Sequence, residues 1–229
     1  MTTWHGTDFH ARCRHADNAP LHRAVSDLLL VARPGDPVVV TGDGTESGRE
    51  DEYAELANLL LRLRNSGLEL LLAPGNHDFS YHGLLYYSDA VTRWKTLVRE
   101  LGAHEEYEHQ GMLYRVVDTC KHTLTPLDTA RQRVGVGIRR RIPGWQQDAK
   151  NRGLRLVLAG HAWPYCDDEM LLLEDRKEFL SLVEGKCHYV GGHIHRAERR
   201  VVAGSHFVCG GALAQVGFKP LSFPPIAGA

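Results

Sequence analysis

Apolar and polar positions follow two alternating periods along the chain, and these periods predict strands and helices in turn. Consecutive β-branched or leucine-rich positions bounded by Gly, Pro or Asp are typical of buried strands, whereas apolar residues three and four positions apart are typical of amphipathic helices. The predicted strands are 37–43, 68–78, 112–118, 154–161 and 187–195, with shorter ones over 2–6, 199–204 and 205–211. The predicted helices are 21–33, 50–67, 83–101, 144–153 and 174–184.

This alternation of strands and helices predicts a layered α/β fold, and the strand-rich last third predicts a second sheet. No internal repeat or low-complexity linker interrupts the chain, so we expect one domain over residues 1–229. Within it, 119–142 reads as irregular and basic, and the Pro-rich tail 219–229 as irregular. The first strand, 2–6, is short and polar, which predicts a weak edge of the core sheet.

Composition narrows the classes of partner. Hydrophobic residues make up 43% of the chain, and 27 basic against 28 acidic residues leave a net charge of −1. This balance provides no bulk attraction to nucleic acid or to an anionic membrane. No apolar run approaches the roughly 18 residues that span a bilayer, and the first ten residues lack the apolar core of a signal peptide. The five cysteines are scattered without a CxxC pair, which favours reduced thiols and a cytoplasmic location.

Five of the predicted strands share a chemical feature, because each ends in residues that can bind metal ions. Sites in layered α/β folds lie just beyond the carboxyl ends of the strands. Carboxylate, amide and imidazole groups without thiolate suit Mn, Fe or Zn, and their number is too large for one tetrahedral ion but fits two ions that share a bridge. The residues at these ends are Asp8, His10, Asp43, Asn76, His77, His161, His193 and His195.

Each of these motifs is weak by itself. The spacing in 8–10 occurs by chance, 42–43 is a common turn, and a lone histidine such as His161 is usually a surface residue. The stretch 75–78 also fits an ordinary turn or a helix N-cap. The stretch 191–195 is more specific, since two histidines two positions apart in an extended segment point to the same side. The joint occurrence of all five, each at a strand end, favours one common site.

In this order the motifs resemble those of the calcineurin-like metallophosphoesterases. That family's pattern is D-x-H, G-D, G-N-H-D/E, a single His and G-H-x-H, which here falls on 8–10, 42–43, 75–78, His161 and 192–195. The resemblance covers residues 1 to about 212. It implies a four-layer α/β/β/α sandwich with two mixed sheets and a site along one edge of both.

The resemblance also implies a site with two metal ions and a role for each residue. One ion would take Asp8, His10, Asp43 and His195, and the other would take Asp43, Asn76, His161 and His193, with Asp43 as the bridge. Two such cations clamp a phosphoryl group and lower the pKa of a shared water, so that hydroxide is available near pH 7. His77 would protonate the leaving oxygen or bind a phosphate oxygen. Asp78 would orient His77 by a hydrogen bond, or serve as a helix N-cap.

The implied activity is hydrolysis of a phosphate ester, with a small phosphorylated molecule as substrate. Relatives that act on cyclic nucleotides and small diesters often carry a double histidine and prolines at the fourth motif, where this chain has "GHAWP" over 160–164. The stretches 47–60 and 142–147 nevertheless look like that subgroup, so a small phosphodiester or nucleotide is the predicted substrate. The alternatives are a phosphomonoesterase, a nuclease, which the neutral charge disfavours, and a non-catalytic scaffold, which the complete ligand set disfavours.

Several remaining residues have two interpretations. A basic group within 119–142 is either a solvated surface or a binding site for an anionic substrate: Arg131, Arg133, Arg139, Arg140 and Arg141. Trp163 either stacks on a base or packs in the core. Of the other histidines, His122 lies in the basic segment and is the strongest functional candidate. His5, His82 and His206 are expected to be ordinary.

Overall fold

The computed structural model describes residues 1–81, 85–86, 88–121 and 130–224. Its strands are β1 (Thr3–Gly6), β2 (Pro37–Thr41), β3 (Glu69–Ala73), β4 (Ser80–Tyr81), β5 (Leu85–Tyr86), β6 (Glu106–His109), β7 (Met112–Val116), β8 (Arg155–Ala159), β9 (His188–Gly191), β10 (Glu198–Val202), β11 (Ser205–Cys209) and β12 (Lys219–Leu221). Its helices are α1 (Ala19–Val31), α2 (Glu50–Asn65), α3 (Ser88–Leu101), α4 (Gly135–Asn151), α5 (Arg176–Val183) and α6 (Leu213–Val216). Short 3₁₀ turns cover His15–Asn18 and His77–Phe79.

Two mixed sheets form the centre of the fold. The first has the order β12-β1-β2-β3, with β12 antiparallel to three parallel strands. The second has the order β10-β11-β9-β8-β7-β6, with parallel pairing from β11 to β7 and antiparallel strands at both edges. A third, two-stranded sheet pairs β4 with β5. The predicted mixed sheets are confirmed.

Helices cover the outer faces of both large sheets. Helices α1, α2 and α3 share a buried core with β2 and β3, and helices α4 and α5 share one with β7, β8 and β9. The inner faces pack on each other, as Val39 and Leu71 lie in one core with Tyr114, Val157 and Val190. Strand β2 is apolar at consecutive positions because both its faces are buried. This is the α/β/β/α sandwich that the sequence motifs implied.

The first strand lies inside its sheet, contrary to the predicted weak edge. The tail segment forms β12 and pairs antiparallel with β1, Trp4 opposite Pro220 and His5 opposite Lys219. Proline lacks an N–H donor and is tolerated on an edge strand, which is where Pro220 lies. The tail is therefore not irregular over 219–221, and residues 225–229 lie outside the described part of the chain.

Helix α4 begins earlier than predicted, at Gly135, so that the basic segment 119–142 is partly helical. Pro143 lies inside this helix and removes one backbone hydrogen bond, which is why the sequence pattern indicated a break. Burial of Ile142 and Ala149 against the second sheet stabilises the helix across the proline. Residues 122–129, with His122, and residues 82–84, with His82, lie outside the described residues. Among the helices that the structure describes, none has the length and apolar character that crossing a bilayer requires.

Candidate metal centre

The polar strand ends of both sheets meet at one edge of the sandwich. The loops that follow β1, β2 and β3 bring residues from the first sheet, and those that follow β8 and β9 bring residues from the second. Backbone hydrogen bonds fasten neighbouring loops, as the N–H of Asp8 donates to the carbonyl of Gly42 (3.0 Å) and the N–H of Gly192 to that of His161 (2.8 Å). Every residue that the sequence predicted as a ligand lies at this edge.

The first predicted ligand group is assembled as a cluster. Asp8, His10, Asp43 and His195 each offer one donor atom, all within 4.8 Å of one another. The Nε2 atoms of His10 and His195 face each other at 2.9 Å, and His195 Nε2 lies 3.4 Å from Asp8 Oδ1. His10 Nε2 lies 3.8 Å from Asp43 Oδ2. We call this the outer group.

The second group shares Asp43 with the first. His161 Nε2 lies 3.1 Å from Asp43 Oδ2 and 3.1 Å from His193 Nδ1, and the three residues form one cluster. Asn76 is buried on the adjacent loop, where the N–H of the next residue, His77, donates to Asp43 Oδ1 (3.0 Å). We call Asp43, Asn76, His161 and His193 the inner group.

The backbone at these positions adopts a conformation that non-glycine residues rarely take. Left-handed φ angles occur at Asp8 (53°), His10 (50°), Asp43 (50°), His193 (77°) and His195 (52°). Each such residue costs free energy, and strained residues of this kind concentrate at functional sites. The prediction that His193 and His195 lie in an extended strand is therefore wrong, because β9 ends at Gly191 and a bend carries both side chains to the centre.

Two glycines allow the backbone to approach the carboxylates closely. A Cβ atom at Gly75 would lie 2.1 Å from Asp43 Oδ1. A Cβ atom at Gly192 would lie 1.9 Å from Thr7 Oγ1 and 2.7 Å from Asp8 Oδ2. Any side chain at these positions would displace the carboxylates, so glycine at 75 and 192 is a condition for the cluster.

The electrostatics of the cluster fit the binding of divalent cations. Burial alone would lower the pKa of His161, but the Asp43 carboxylate raises it to about 9. Burial and the neighbouring His161 lower the pKa of His193 to about 3. Burial would raise the pKa of Asp43, yet His161 and His77 hold it well below its usual value. Burial would also raise the pKa of Asp8, but a hydrogen bond with His195 lowers it. Both carboxylates thus retain negative charge, and cations in contact with them would take the place of the imidazole proton.

The donor atoms support the same conclusion. Two pairs of imidazole nitrogens face each other at 2.9 and 3.1 Å, so that two lone pairs converge unless a proton or a cation lies between them. His193 Nε2 and His10 Nδ1 are buried and have no hydrogen-bond partner among the described residues. Oxygen and nitrogen donors without sulfur suit Mn, Fe or Zn.

His77 has a different hydrogen-bond partner from the one predicted. Its Nδ1 donates to the backbone carbonyl of Glu46 (2.7 Å), and its ring lies edge-on to that of His10, with centroids 4.7 Å apart. The ring is half-buried and faces the outer group. The prediction that Asp78 orients His77 by a hydrogen bond is not met by this geometry, because the carbonyl of Glu46 occupies the orienting position.

Asp78 instead joins two loops of the centre. Its carboxylate accepts hydrogen bonds from the backbone N–H groups of Thr45 (2.9 Å) and Gly75 (2.8 Å) and from the Thr45 hydroxyl (3.2 Å). It does not cap the 3₁₀ turn, whose N-cap residue is Asn76. Burial and the nearby Asp43 charge raise the pKa of Asp78 to about 6. Asp78 therefore holds the loop after β3 against the loop after β2.

Gln132 also belongs to the centre, although no sequence motif indicates it. Its Nε2 donates to Asn76 Oδ1 (3.1 Å), and its Oε1 accepts from the Thr119 hydroxyl (3.1 Å), with both residues fully buried. These bonds fix the orientation of the Asn76 amide. Thr119 lies three residues beyond β7, so the strand-end rule would have found it, but Gln132 follows no predicted strand.

Three of the five predicted arginines are engaged away from the centre. Arg131 donates to the carbonyl of Glu169 (3.0 Å), Arg133 lies 4.0 Å from Glu174, and Arg139 pairs with buried Asp175 (3.3 Å). These contacts connect the segment that contains the three arginines to residues 168–178. Trp163 is only 1% exposed and packs in the second core, so it does not offer a face to a base.

The sequence family of the chain is established by comparison. The profile of the calcineurin-like phosphoesterase family matches residues 1–197, and the chain belongs to this family. It is therefore a metal-dependent phosphoester hydrolase, in a family whose members use a dimetal centre. A comparison with curated proteins returned no match.

Solved structures show the same fold at low sequence identity. A dimetal phosphatase from Danio rerio is 13% identical, with a TM-score of 0.70 over 93% of this chain and 88% of that one. Phosphopantetheinyl hydrolase from Mycobacterium tuberculosis is 14% identical, with a TM-score of 0.58 over 98% and 96%. Purple acid phosphatase from yellow lupin is 11% identical, with a TM-score of 0.59 over 99% of this chain and 46% of that one.

Proposed function

We propose that this protein hydrolyses a small phosphate ester at two divalent metal ions held by the outer and inner groups. The favoured substrate is a phosphodiester or a nucleotide. The observation that carries the proposal is the pair of ligand clusters that share Asp43. A cavity of about 460 Å³ adjoins the outer group, and its lining includes Asp8, His10, His77 and His195. This volume suits a small molecule.

The ligand set favours Mn, Fe or Zn as the ions. When bound, two such cations polarise the phosphoryl oxygens and lower the pKa of a water molecule toward neutrality. The protein contributes the rigid placement of the donors, because five loops are joined by backbone hydrogen bonds and by Asp78. The cytoplasmic location stays a prediction.

His77 is the proposed proton donor to the leaving oxygen. Since its Nδ1–H is held by the carbonyl of Glu46, its Nε2 carries the proton that is transferred. We expect His77→Ala to lower kcat by roughly 10²–10⁴-fold, the usual contribution of general acid catalysis, with metal content retained. Steady-state kinetics and metal analysis on the same sample test this. Unchanged turnover would show that His77 is not the acid.

A phosphomonoester is the alternative substrate, and the name of the Danio rerio dimetal phosphatase favours it. One panel of substrates separates the possibilities: aryl phosphate monoesters and diesters, cyclic nucleotides and single-stranded oligonucleotides, each with Mn²⁺, Zn²⁺, Fe²⁺ or Mg²⁺. Hydrolysis of diesters or nucleotides is the expected result. Strict monoester preference would overturn the diester assignment, and cleavage of oligonucleotides would favour a nuclease. Bound metal without any hydrolysis would indicate a scaffold.

A further inference from the structure

We propose that Arg12 binds a second anionic group of the substrate, on the leaving-group side of the metal centre. The substrate class would then be a phosphate ester whose leaving group carries a carboxylate or a further phosphate. This inference rests on the proposed function, and it concerns a residue that belongs to none of the motifs discussed above.

The backbone of Arg12 is held in place from both sides. Its N–H donates to the side-chain oxygen of Asn18 (2.8 Å), and the side-chain amide of Asn18 donates to its carbonyl (2.7 Å). Asn18 is 1% exposed. The N–H of the preceding residue, Ala11, donates to the carbonyl of Gly44, and its carbonyl accepts from the N–H of Glu46, both at 3.0 Å. Because this segment is already ordered, little backbone entropy is lost when Arg12 binds a ligand.

The side chain of Arg12 is available at the mouth of the site. It is 59% exposed, and its described ion pair is a single long contact, 3.6 Å from Nε to Glu46 Oε2. The same carboxylate oxygen lies 3.7 Å from His10 Nδ1, which places the guanidinium beside the outer group. A guanidinium presents five N–H donors in a planar fork that matches carboxylate and phosphate oxygens.

The cavity identifies the leaving-group side. Arg12 lines the cavity together with His77, the proposed donor to the leaving oxygen, whereas the imidazoles of the inner group do not line it. A general acid must lie within hydrogen-bond reach of the oxygen that it protonates, so the leaving group occupies this cavity.

The other residues that line the cavity indicate which parts of the leaving group are apolar and which part is charged. Phe9, Leu21 and Ala212 provide an apolar wall, and Arg12 is the only lysine or arginine among the described residues that line the cavity. Asp17 on the same lining repels an anion placed beside it, whereas Glu46 is the carboxylate that pairs with Arg12. The guanidinium therefore defines where the anionic group lies, with an apolar portion between it and the scissile ester.

The test compares two enzymes on an uncharged leaving group and on carboxylated ones. Phenyl phosphate is compared with its 3- and 4-carboxy derivatives in wild type and Arg12→Ala; if only diesters are turned over, their methyl diesters are used instead. The electronic effect of the carboxylate on the leaving group is the same for both enzymes, so it cancels in the comparison. We expect kcat/KM to fall about 10–100-fold more for a carboxylated substrate than for phenyl phosphate, the usual range for a hydrogen bond between charged groups. Arg12→Lys should recover part of this loss.

Arg14→Ala is the matched control, because Arg14 is exposed on the same loop and does not line the cavity. It should leave both substrates unaffected. Metal content and unfolding midpoints establish that the variants are folded and loaded. Equal losses of Arg12→Ala on both substrates, or no loss, would overturn the inference.

Failure of the proposed function gives a different result. In that case the wild type hydrolyses none of the substrates. Calorimetric titration of the metal-loaded protein with 4-carboxyphenyl phosphate then tests whether Arg12 binds the carboxylate. Weaker binding by Arg12→Ala than by wild type and Arg14→Ala would support the subsite. Equal binding by all three, or no binding, would overturn it.

Discussion

The outer and inner ligand groups share Asp43 but differ in their contact with solvent. In the outer group the side chain of His195 is 49% exposed and that of His10 is 15% exposed. In the inner group His161 is 0% and His193 is 5% exposed. The difference follows from position, since His161 lies beneath the loop after β2, where its Nδ1 hydrogen-bonds the carbonyl of Thr41 (2.7 Å).

This difference indicates a division of roles between the two groups. The cavity that holds Arg12 borders the outer group, so an ion there would meet the substrate and exchange with solvent. The inner group is enclosed and is supported by Gln132, so an ion there would exchange slowly. Three experiments test this contrast, beginning with the largest expected effect, and a fourth tests the pH dependence of stability away from the centre.

Asp43→Ala should impair the outer and inner groups alike, because this carboxylate belongs to both. We expect loss of both ions and of all measurable hydrolysis. Plasma mass spectrometry of the desalted protein measures the metal content. Asp27→Ala, at an exposed position of α1, is the control. Retention of two ions per chain would contradict the bridging role of Asp43.

His161→Ala and His195→Ala should separate the two ions. We expect His195→Ala to keep the inner ion and lose the outer one, and His161→Ala to lose the inner one, because each removes a donor from one group only. Metal stoichiometry after brief exposure to a chelator measures this. In the wild type one ion should leave faster than the other. Simultaneous loss of both ions in each variant would show that the groups are not independent.

Gln132→Leu should weaken the inner group alone. Without the hydrogen bond from Gln132, the Asn76 amide loses its fixed orientation, and loss of such an indirect partner typically costs about 10–100-fold in metal affinity. Competition with a fluorescent chelator measures the two affinities separately. Gln147→Leu, on the exposed side of α4, is the control. An equal loss of affinity for both ions would show that Gln132 stabilises the fold as a whole and not the inner group.

His188→Leu should change the acid stability of strand β9 without touching the centre. Burial lowers the pKa of His188 to about 4, against about 6.5 in the unfolded chain. As pH falls below 6.5 the unfolded state takes up this proton first, so stability is lost between pH 6.5 and 4. The share of His188 is about 2 kcal/mol between pH 7 and 5. Urea unfolding at pH 7 and pH 5 measures the free energy of unfolding, which should fall by about 2 kcal/mol less in the variant than in the wild type. An identical fall in both proteins would refute this prediction.

The candidate ligands could be predicted because residue type and position along the chain are sufficient to indicate them. Asp43 and His161 each follow a short apolar run and Asp8 follows a short polar strand, and parallel strands bring such ends together. The predicted β2 and β3 were correct for the same reason, since strands buried on both faces are apolar at consecutive positions. The helix across Pro143 was missed because local propensity there is overridden by packing of Ile142 on the second sheet.

Other parts of the centre have no signal in the sequence. The partner of His77 is a backbone carbonyl, and every residue carries one, so no residue type could indicate Glu46. The role of Asp78 was misjudged because proximity in sequence to His77 does not fix the direction of a carboxylate. The pairing of β12 with β1 joins residues more than 200 positions apart, and neither segment has a strong strand pattern.

The sequence by itself determined the layered architecture, the family and the set of candidate ligands, because periodicity and residue chemistry are local properties of the chain. Only the tertiary structure decided which ligands are exposed, which hydrogen bonds orient His77 and Asn76, and that Arg12 reaches the mouth of the site. These depend on contacts between distant loops, whose geometry is set by how the two sheets pack together.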